Sequence, residues 1–526
     1  MSCGEQLVAE VAEVRLAELV ASLSLATDLG LGLPQEHVLR QTLIAKRLAR
    51  LAGMDEADQA DTFYVSMLAW VGCVADSHEL AHWFGDDRRI RADSYGVDKV
   101  GLPMMRLMLG HVGGDTAGLR RVTMIGRFLA GGFREAAGGF VTHCQTTGDI
   151  AERLGLGPSV HAALAQAFER WDGKGVPGIV RRDQIEPVMR VVQIADDAEV
   201  FARTGSIAET CEMLRSRRGT EFDPGLVDLL VANAVEVLGD LDDVDAWTTV
   251  LAECPDLDRR IPEADLDGVL LILADYADLK SPRNLGHSRA VADLAEAAAD
   301  RAGLAAPDAA LVRRAALVHR LGATGVSTSI WNKVGPLTPI EDERARTVPY
   351  LTERILSRQE RLARIGVIAA MAHERMDGSG YPRGLQGPAI PVPARLLAAA
   401  DLYQALGEER PGQVPLPPAD RAAACQAEVE AGRLDPDAVR AVLVAAGHRV
   451  PRRRTLVAGL TAREADVLAL LVRGLSNRQI SERLVIGQRT VATHVEHILA
   501  KTGTASRGAA AMFALRHGLV DAGEDR

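Results

Sequence analysis

HERMDGSGYP, residues 373–382, has a near-copy in FERWDGKGVP, residues 168–177, at an offset of 205. The same offset links Arg190, Ala195 and Asp196 to Arg395, Ala400 and Asp401, and each copy ends in a further echo, FDPGLVDLL from 222 and LDPDAVRAVL from 434. Upstream, HVLRQTLIAKRLARLAG begins at His37 and HSRAVADLAEAAADRAG at His287, an offset of 250, each with a glycine 16 positions on, at Gly53 and Gly303. Sixteen positions further stand Ala69 in SMLAWVGC and His319 in ALVHRLGA, with Gly72 matching Gly322. The change of offset places about 45 extra residues in the first copy, between Gly72 and His143. Internal self-similarity of this kind implies repeated structural units.

In both copies apolar residues recur at three and four rather than two, as in LIAKRLARLAG and VADLAEAAADRAGL, which predicts amphipathic helices. Strand-like alternation is scarce, and the Gly/Pro-rich DGxG segments and ERPGQVPLPPAD at 409–420 read as loops. The predicted fold class is therefore all-α. At 526 residues, with 47% hydrophobic and 25% charged content, the chain has the length of about three ordinary globular domains.

Cys3, Cys73, Cys144, Cys211, Cys254 and Cys425 are scattered, with no CxxC pair, a usage that fits a reducing compartment. The start, MSCGEQLVAEVAEV, lacks a basic segment followed by an apolar run, and no stretch of about 18 apolar residues occurs. A cytoplasmic address without membrane contact is expected. The net charge of −11 is uneven: from Arg452 onward 12 Arg/Lys face 7 Asp/Glu, so this end carries +5 and residues 1–451 carry −16. A small basic module on an acidic body points to a nucleic-acid contact confined to the C-terminal end.

HERMDGSGYPRGLQGPAIPVPARLLAAAD resembles the signature of HD-GYP domains, helical phosphohydrolases whose active members cleave cyclic di-GMP at a two- or three-metal centre. With the His287 and His319 spacing the resemblance extends over most of 262–450, and ERWDGKGVP carries a weaker form of it over about 20–245. Metal-assisted phosphodiester hydrolysis needs several imidazoles and carboxylates converging on cations that activate a water. By the resemblance, His287, His319, His373 and Asp401 occupy metal-ligand positions. Five other positions are changed: Arg283 replaces an acid, Arg320 the aspartate of the HD pair, Ala323 a lysine, and Val348 and Ala372 two histidines. Arg320 brings a permanent cation toward the metals' place, where it could pair with Asp401 and fill the vacated site.

In the first unit the HD pair becomes Ala69 and Trp70, and the histidines before ERWDG become Ala167 and Phe168. His37, His143 and Asp196 remain and are read as hydrogen-bonded core residues, and the GDD at 85–87 as a solvated turn. The DGSGYPRGL loop is read either as a nucleotide or anion contact, through its glycines, or as a turn that the scaffold requires.

LTAREADVLALLVRGLSNRQISERLVIGQRTVATHVEHILAKTGTASRGAAAMFALRHGLV, residues 460–520, reads as four short helices. Thr461 and Glu464 form a TxxE capping box, Gly474 closes the first helix, Ser476 caps the second, and Gly503 ends a longer third. Two helices joined by a tight turn make a helix-turn-helix. The segment is similar over its length to the LuxR/NarL-type DNA-binding domain, departing at Ser481, Gly487 and Thr502. That resemblance places Ala492, Thr493 and Glu496 toward base edges, and Asn477, Arg478, Arg489, Thr490 and Lys501 toward phosphates. Arg452 to Arg454 add a basic arm, while Ile480, Leu484, Val491 and Ile498 are core by spacing.

The sequence thus predicts a degenerate HD-type helical domain over 20–245, a degenerate HD-GYP-like domain over 262–450 and a LuxR-type helix-turn-helix domain over 455–526. The expected function is a cytoplasmic, sequence-specific transcription regulator without catalytic residues. Its HD-type domains serve as sensor, docking or dimerisation modules. Double-stranded DNA is the expected partner, bound as a homodimer, with a nucleotide or protein as effector. The rival reading is a cyclic di-nucleotide phosphodiesterase with a DNA-binding tail, resting on iron or manganese at His287, His319, His373 and Asp401. No other cofactor is expected.

Overall fold

LAELVASLSLATDLGL has no polar face, and as helix α1 (Leu16–Leu31) it is buried nearly all round. Its hydroxyls are satisfied within the helix: Ser22, Ser24 and Thr27 donate to the carbonyl oxygens of Glu18, Ala21 and Leu23. This computed structural model describes residues 13–449 except 115, 117 and 257, and residues 457–517 except 485. Among the described residues regular structure is helical, and β pairing is confined to isolated bridges such as Arg15 with Arg260. The all-α expectation is met.

The repeat read in the sequence is a repeat in space. After α1, the first unit has α2 (His37–Leu51) packed on α3 (Pro187–Thr204). The second has α4 (Leu266–Asp278), α5 (His287–Ala302), α6 (Ala306–Val318) and α7 (Val392–Leu406), with α5 against both α6 and α7. In each copy an aspartate from the preceding helix caps the helix that begins with histidine. Asp28 accepts from the Val38 N–H at 3.0 Å, and Asp278 from the Ser288 N–H at 2.8 Å. In each copy, too, a glycine N–H reaches a threonine hydroxyl, Gly72 to Thr147 at 3.0 Å and Gly322 to Thr352 at 2.9 Å. A Cβ at either glycine would overlap the carbonyl oxygen of His143 or Val348, so only glycine allows this approach.

The extra residues of the first copy form short helices, among them Ser77–Phe84, Asp87–Ser94 and Gly101–His111, around a small core of Trp83, Phe84, Ile90, Met108, Val112 and Phe128. Helix α1 precedes the first unit's α2, and helix Ala246–Ala252 packs back on α2.

The two units share one body, residues 1–448. Helix α1 packs on the 3-10 turn of its own unit, Val71–Val74, and on the equivalent turn Leu321–Gly325 of the other. Thr324 donates to the Ala26 carbonyl at 3.0 Å, and Thr27 and Tyr276 hydroxyls meet at 3.3 Å. A buried charge cluster also crosses the junction. Asp87 is held by Lys280 Nζ at 2.5 Å, by Arg91 at 3.2 Å and by the Thr328 N–H at 2.9 Å, and Arg91 also pairs with Asp76. The expected solvated turn at 85–87 is therefore corrected: Asp87 is fully buried. One of its two counter-cations, Lys280, lies 193 residues away, out of reach of any local reading.

Residues 449–526 form a separate unit. Its helices are α8 (Ala462–Val472), α9 (Asn477–Leu484), α10 (Gln488–Thr502) and α11 (Arg507–Arg516). The predicted Thr461/Glu464 capping box is present, and the Ser476 side chain accepts from the Gln479 N–H at 3.4 Å. Gly474 and Gly503 adopt φ of 81° and 63°. Val467, Ile480, Val491 and Ile498 form the core with Leu484 packed against it. The basic arm at Arg452 to Arg454 lies outside the described residues.

Candidate functional site

The fold brings the predicted ligand positions of the second unit together. His287 opens α5, His319 follows α6, and Asp401 lies on α7. His287 Nε2 and His319 Nε2 stand 3.1 and 3.4 Å from Asp401 Oδ1, and His373 Nδ1 stands 3.8 Å from Asp401 Oδ2. Among the described residues, His287, His319 and Asp401 form a group whose donor atoms lie within 4.8 Å of one another.

Second contacts orient these rings. Glu408, seven residues beyond Asp401 and just past the end of α7, accepts from His287 Nδ1 at 2.8 Å. The Ala316 carbonyl lies 2.6 Å from His319 Nδ1. A carbonyl only accepts, so Nδ1 of His319 carries a proton and Nε2 is the atom turned toward Asp401. That Nε2 is buried and has no hydrogen-bond partner. Two imidazole nitrogens facing one carboxylate oxygen call for a positive charge there, either a proton on an imidazole or a cation. Burial alone would lower the His287 pKa, but bonds to Asp401 and Glu408 raise it. His373 is driven by burial down to about 4 and stays neutral. The donor set fits one divalent ion, with the carboxylate-oriented histidine usual in such sites. Positions 283, 320, 323, 348 and 372, where the family resemblance expects further polar groups, hold Arg, Arg, Ala, Val and Ala.

Arg320 does not make the pairing with Asp401 that its place in the sequence allowed. Its Nε faces Asp278 at 4.0 Å, and its guanidinium lies 5.5 Å from the Trp331 ring centre. The reason is electrostatic: Asp278 is buried with only Ser288 as hydrogen-bond donor, and needs a counter-charge. In the first unit Trp70 stands at this position, and burial pushes Asp28 up to about 7 although His37 and Arg203 act against it.

In the first unit two of the three leftovers, His37 and Asp196, meet, while His143 bonds elsewhere. His37 is clamped between Asp196 at 3.0 Å and Glu199 at 2.5 Å. Burial disfavours its charge, but the flanking carboxylates prevail and raise its pKa to about 10, so a proton supplies the positive charge at this position. His143 donates from Nε2 to the Ala69 carbonyl at 2.7 Å, and burial lowers it to about 4.

Reading the residues singly missed Glu199 and Glu408, which replace each other: positions 199 and 203 are Glu and Arg, and their counterparts 404 and 408 are Gln and Glu. Spacing along the Asp196 and Asp401 helix was the available signal.

The DGSGYPRGL loop spends its backbone donors internally. Glu374 accepts from the Arg383 and Leu385 N–H groups, both at 2.8 Å, and Asp377 from Ser379 at 2.9 Å. This geometry fits the scaffold-turn reading rather than an anion cradle.

In the C-terminal unit, α10 exposes Arg489, Thr490, Thr493 and Glu496 while Val491, Val495 and Ile498 are buried, and Ala492 is half-buried. Arg478 is exposed beside Glu482, at 3.1 Å, and Asn477 accepts from Arg507 at 2.6 Å. Lys501 is committed inside the unit, donating to Glu464 at 2.7 Å.

Comparison with known proteins agrees with this division. Residues 272–438 match the family described as HD domain, and residues 458–514 match bacterial regulatory proteins, luxR family. The chain is 28% identical over 437 residues to 3'3'-cGAMP-specific phosphodiesterase 3 of Vibrio cholerae serotype O1, covering 81% of this chain and 94% of the relative. A cyclic di-GMP phosphodiesterase of Thermotoga maritima is 35% identical over 151 residues, 28% of this chain and 40% of that one. The crystal structure of a cyclic GMP-AMP-specific phosphodiesterase from V. cholerae superposes with a TM-score of 0.57 at 26% identity, covering 84% of this chain and 99% of that chain. Residues 272–438 are thus an HD domain and residues 458–514 a helix-turn-helix domain of the bacterial luxR regulatory family, carried on a single chain.

Proposed function

We propose that the protein is a sequence-specific DNA-binding transcription regulator whose HD body senses or docks an effector instead of hydrolysing a cyclic dinucleotide. The observation that carries this reading is the C-terminal helix-turn-helix unit, whose α10 presents Arg489, Thr490, Thr493 and Glu496 to solvent along one exposed side. A helix of this kind enters the major groove, where Glu496 accepts from a cytosine amino group and the Thr493 methyl meets a thymine methyl. Half-sites in inverted repeat are expected, because a homodimer doubles the few phosphate contacts one such unit makes. Footprinting on genomic fragments tests the reading: discrete protected sites support it, and salt-sensitive binding without sequence preference overturns it.

A second reading is favoured by one observation, the convergence of His287, His319 and Asp401 around the unpartnered His319 Nε2. It makes the second HD unit a phosphohydrolase acting on a cyclic dinucleotide, the activity in the names of the relatives. A bound iron or manganese ion there would supply Lewis-acid activation of water. Our reading expects no more than one metal equivalent per chain and no turnover of cyclic di-GMP or 3'3'-cGAMP. Two equivalents with hydrolysis would establish the rival.

A further inference from the structure

The first HD unit has no metal group among its described residues, yet it has a cavity of about 190 Å3 beside Asp196, the counterpart of Asp401. Trp70 and Phe168, at the positions of Arg320 and His373 in the second unit, belong to its wall. The Phe168 ring centre lies 6.0 Å from that of Trp70 and 4.5 Å from that of Phe140. The insert that the second unit lacks contributes Tyr95, Lys99, Met104 and Met108 to the same wall.

Charges along this wall are mostly spoken for. Arg91 pairs with Asp76 and Asp87, Lys99 with Asp197 at 2.9 Å, and Arg170 with Asp98 at 3.0 Å. Lys174 differs: its side chain is 73% exposed and its nearest acid, Asp172, is 3.9 Å away. The interior therefore favours an uncharged aromatic body, and the rim offers one open cation. The volume lies below the roughly 300–1,000 Å3 of sites for drug-sized ligands, too small for a cyclic dinucleotide.

We propose that this cavity binds a small planar aromatic molecule with one anionic group, its ring among Trp70, Phe140 and Phe168 and its anion at Lys174. Either a mononucleotide with its phosphate outside or an aromatic carboxylate has this chemistry. The site supplies the ligand for the sensor reading above, on which it rests, but the DNA-binding reading is tested separately by footprinting.

The test uses the full chain and isothermal titration with four probes: guanosine monophosphate, guanosine, indole-3-carboxylate and cyclic di-GMP. We expect one anionic probe to bind at one site per chain, the nucleotide or the carboxylate thereby naming the source. Ala167→Phe, which puts a ring into the cavity, is expected to weaken that binding by roughly tenfold or more, a loss of about 1.4 kcal/mol. Lys174→Glu changes an exposed residue and leaves the fold intact; it is expected to weaken the anionic probe several-fold and leave guanosine unchanged. Absence of binding by both anionic probes, or binding that survives both variants, overturns the proposal. So does cyclic di-GMP binding as tightly as the monophosphate at the same site.

Discussion

Position 320 shows how one side chain redefines its neighbours. A guanidinium there stands where the resemblance expects an aspartate, and it faces Asp278, whose counterpart Asp28 has no arginine at the matching position. Arg320→Met is expected to lower stability by roughly 1–3 kcal/mol through the uncompensated carboxylate, measured by urea unfolding. His143 supplies a pH dependence. Burial holds its folded pKa near 4, below the unfolded value of about 6.5, so the unfolded chain takes the proton first. Its contribution is fully present above about pH 6.5 and is lost as pH falls toward 4, by up to about 3 kcal/mol. His143→Val, which installs the residue that Val348 represents in the second unit, should unfold with a flatter pH slope over that window. The changes at Arg320 and Ala372 were legible at this scale, since each is a single letter in the pattern that the sequence resembles. The direction in which Arg320 turned was not, because Asp278 belongs to an earlier helix.

Helix α10 is the element whose predictions are sharpest. Arg489→Ala is expected to weaken binding to all DNA sequences and to reduce the slope of log affinity against log salt by about 1. Glu496→Gln should change the preferred base at one position of the half-site while leaving that slope nearly intact, as read by binding to a randomised library. The ends of the helices in this unit were readable because caps are local: Thr461 and Glu464, or Ser476 and Gln479, lie three residues apart. Lys501 was harder. Its ammonium is spent on Glu464, 37 residues away, so its candidacy as a phosphate contact is weaker than its exposure suggests. The carboxylates Glu199 and Glu408 were missed for a related reason: the positions exchange roles between copies, so aligning the repeats conceals them.

The whole body depends on the junction between the HD units. Lys280→Ala leaves Asp87 buried with Arg91 as its remaining ionic partner, and is expected to cost roughly 3–5 kcal/mol, an order typical of breaking a buried pair. Calorimetry of the full chain should show both HD units melting in one transition, with that transition shifted down in the variant. The repeat, and with it the two-unit plan, was legible from offsets of 250 and 205. The junction was not, since Asp87 and Lys280 carry no mark of each other in the sequence.

Joining the two units in one chain also has a consequence for cell physiology. Halves that met as separate subunits would come apart on dilution, and regulators often work at on the order of nanomolar concentration or less. A covalent link instead fixes an effective concentration of roughly millimolar for the contact between Asp87 and Lys280, whatever the copy number. The first unit's cavity and the second unit's histidine cluster therefore stay in one-to-one register even when only a handful of molecules are present, and each half is free to accept substitutions that the other does not share.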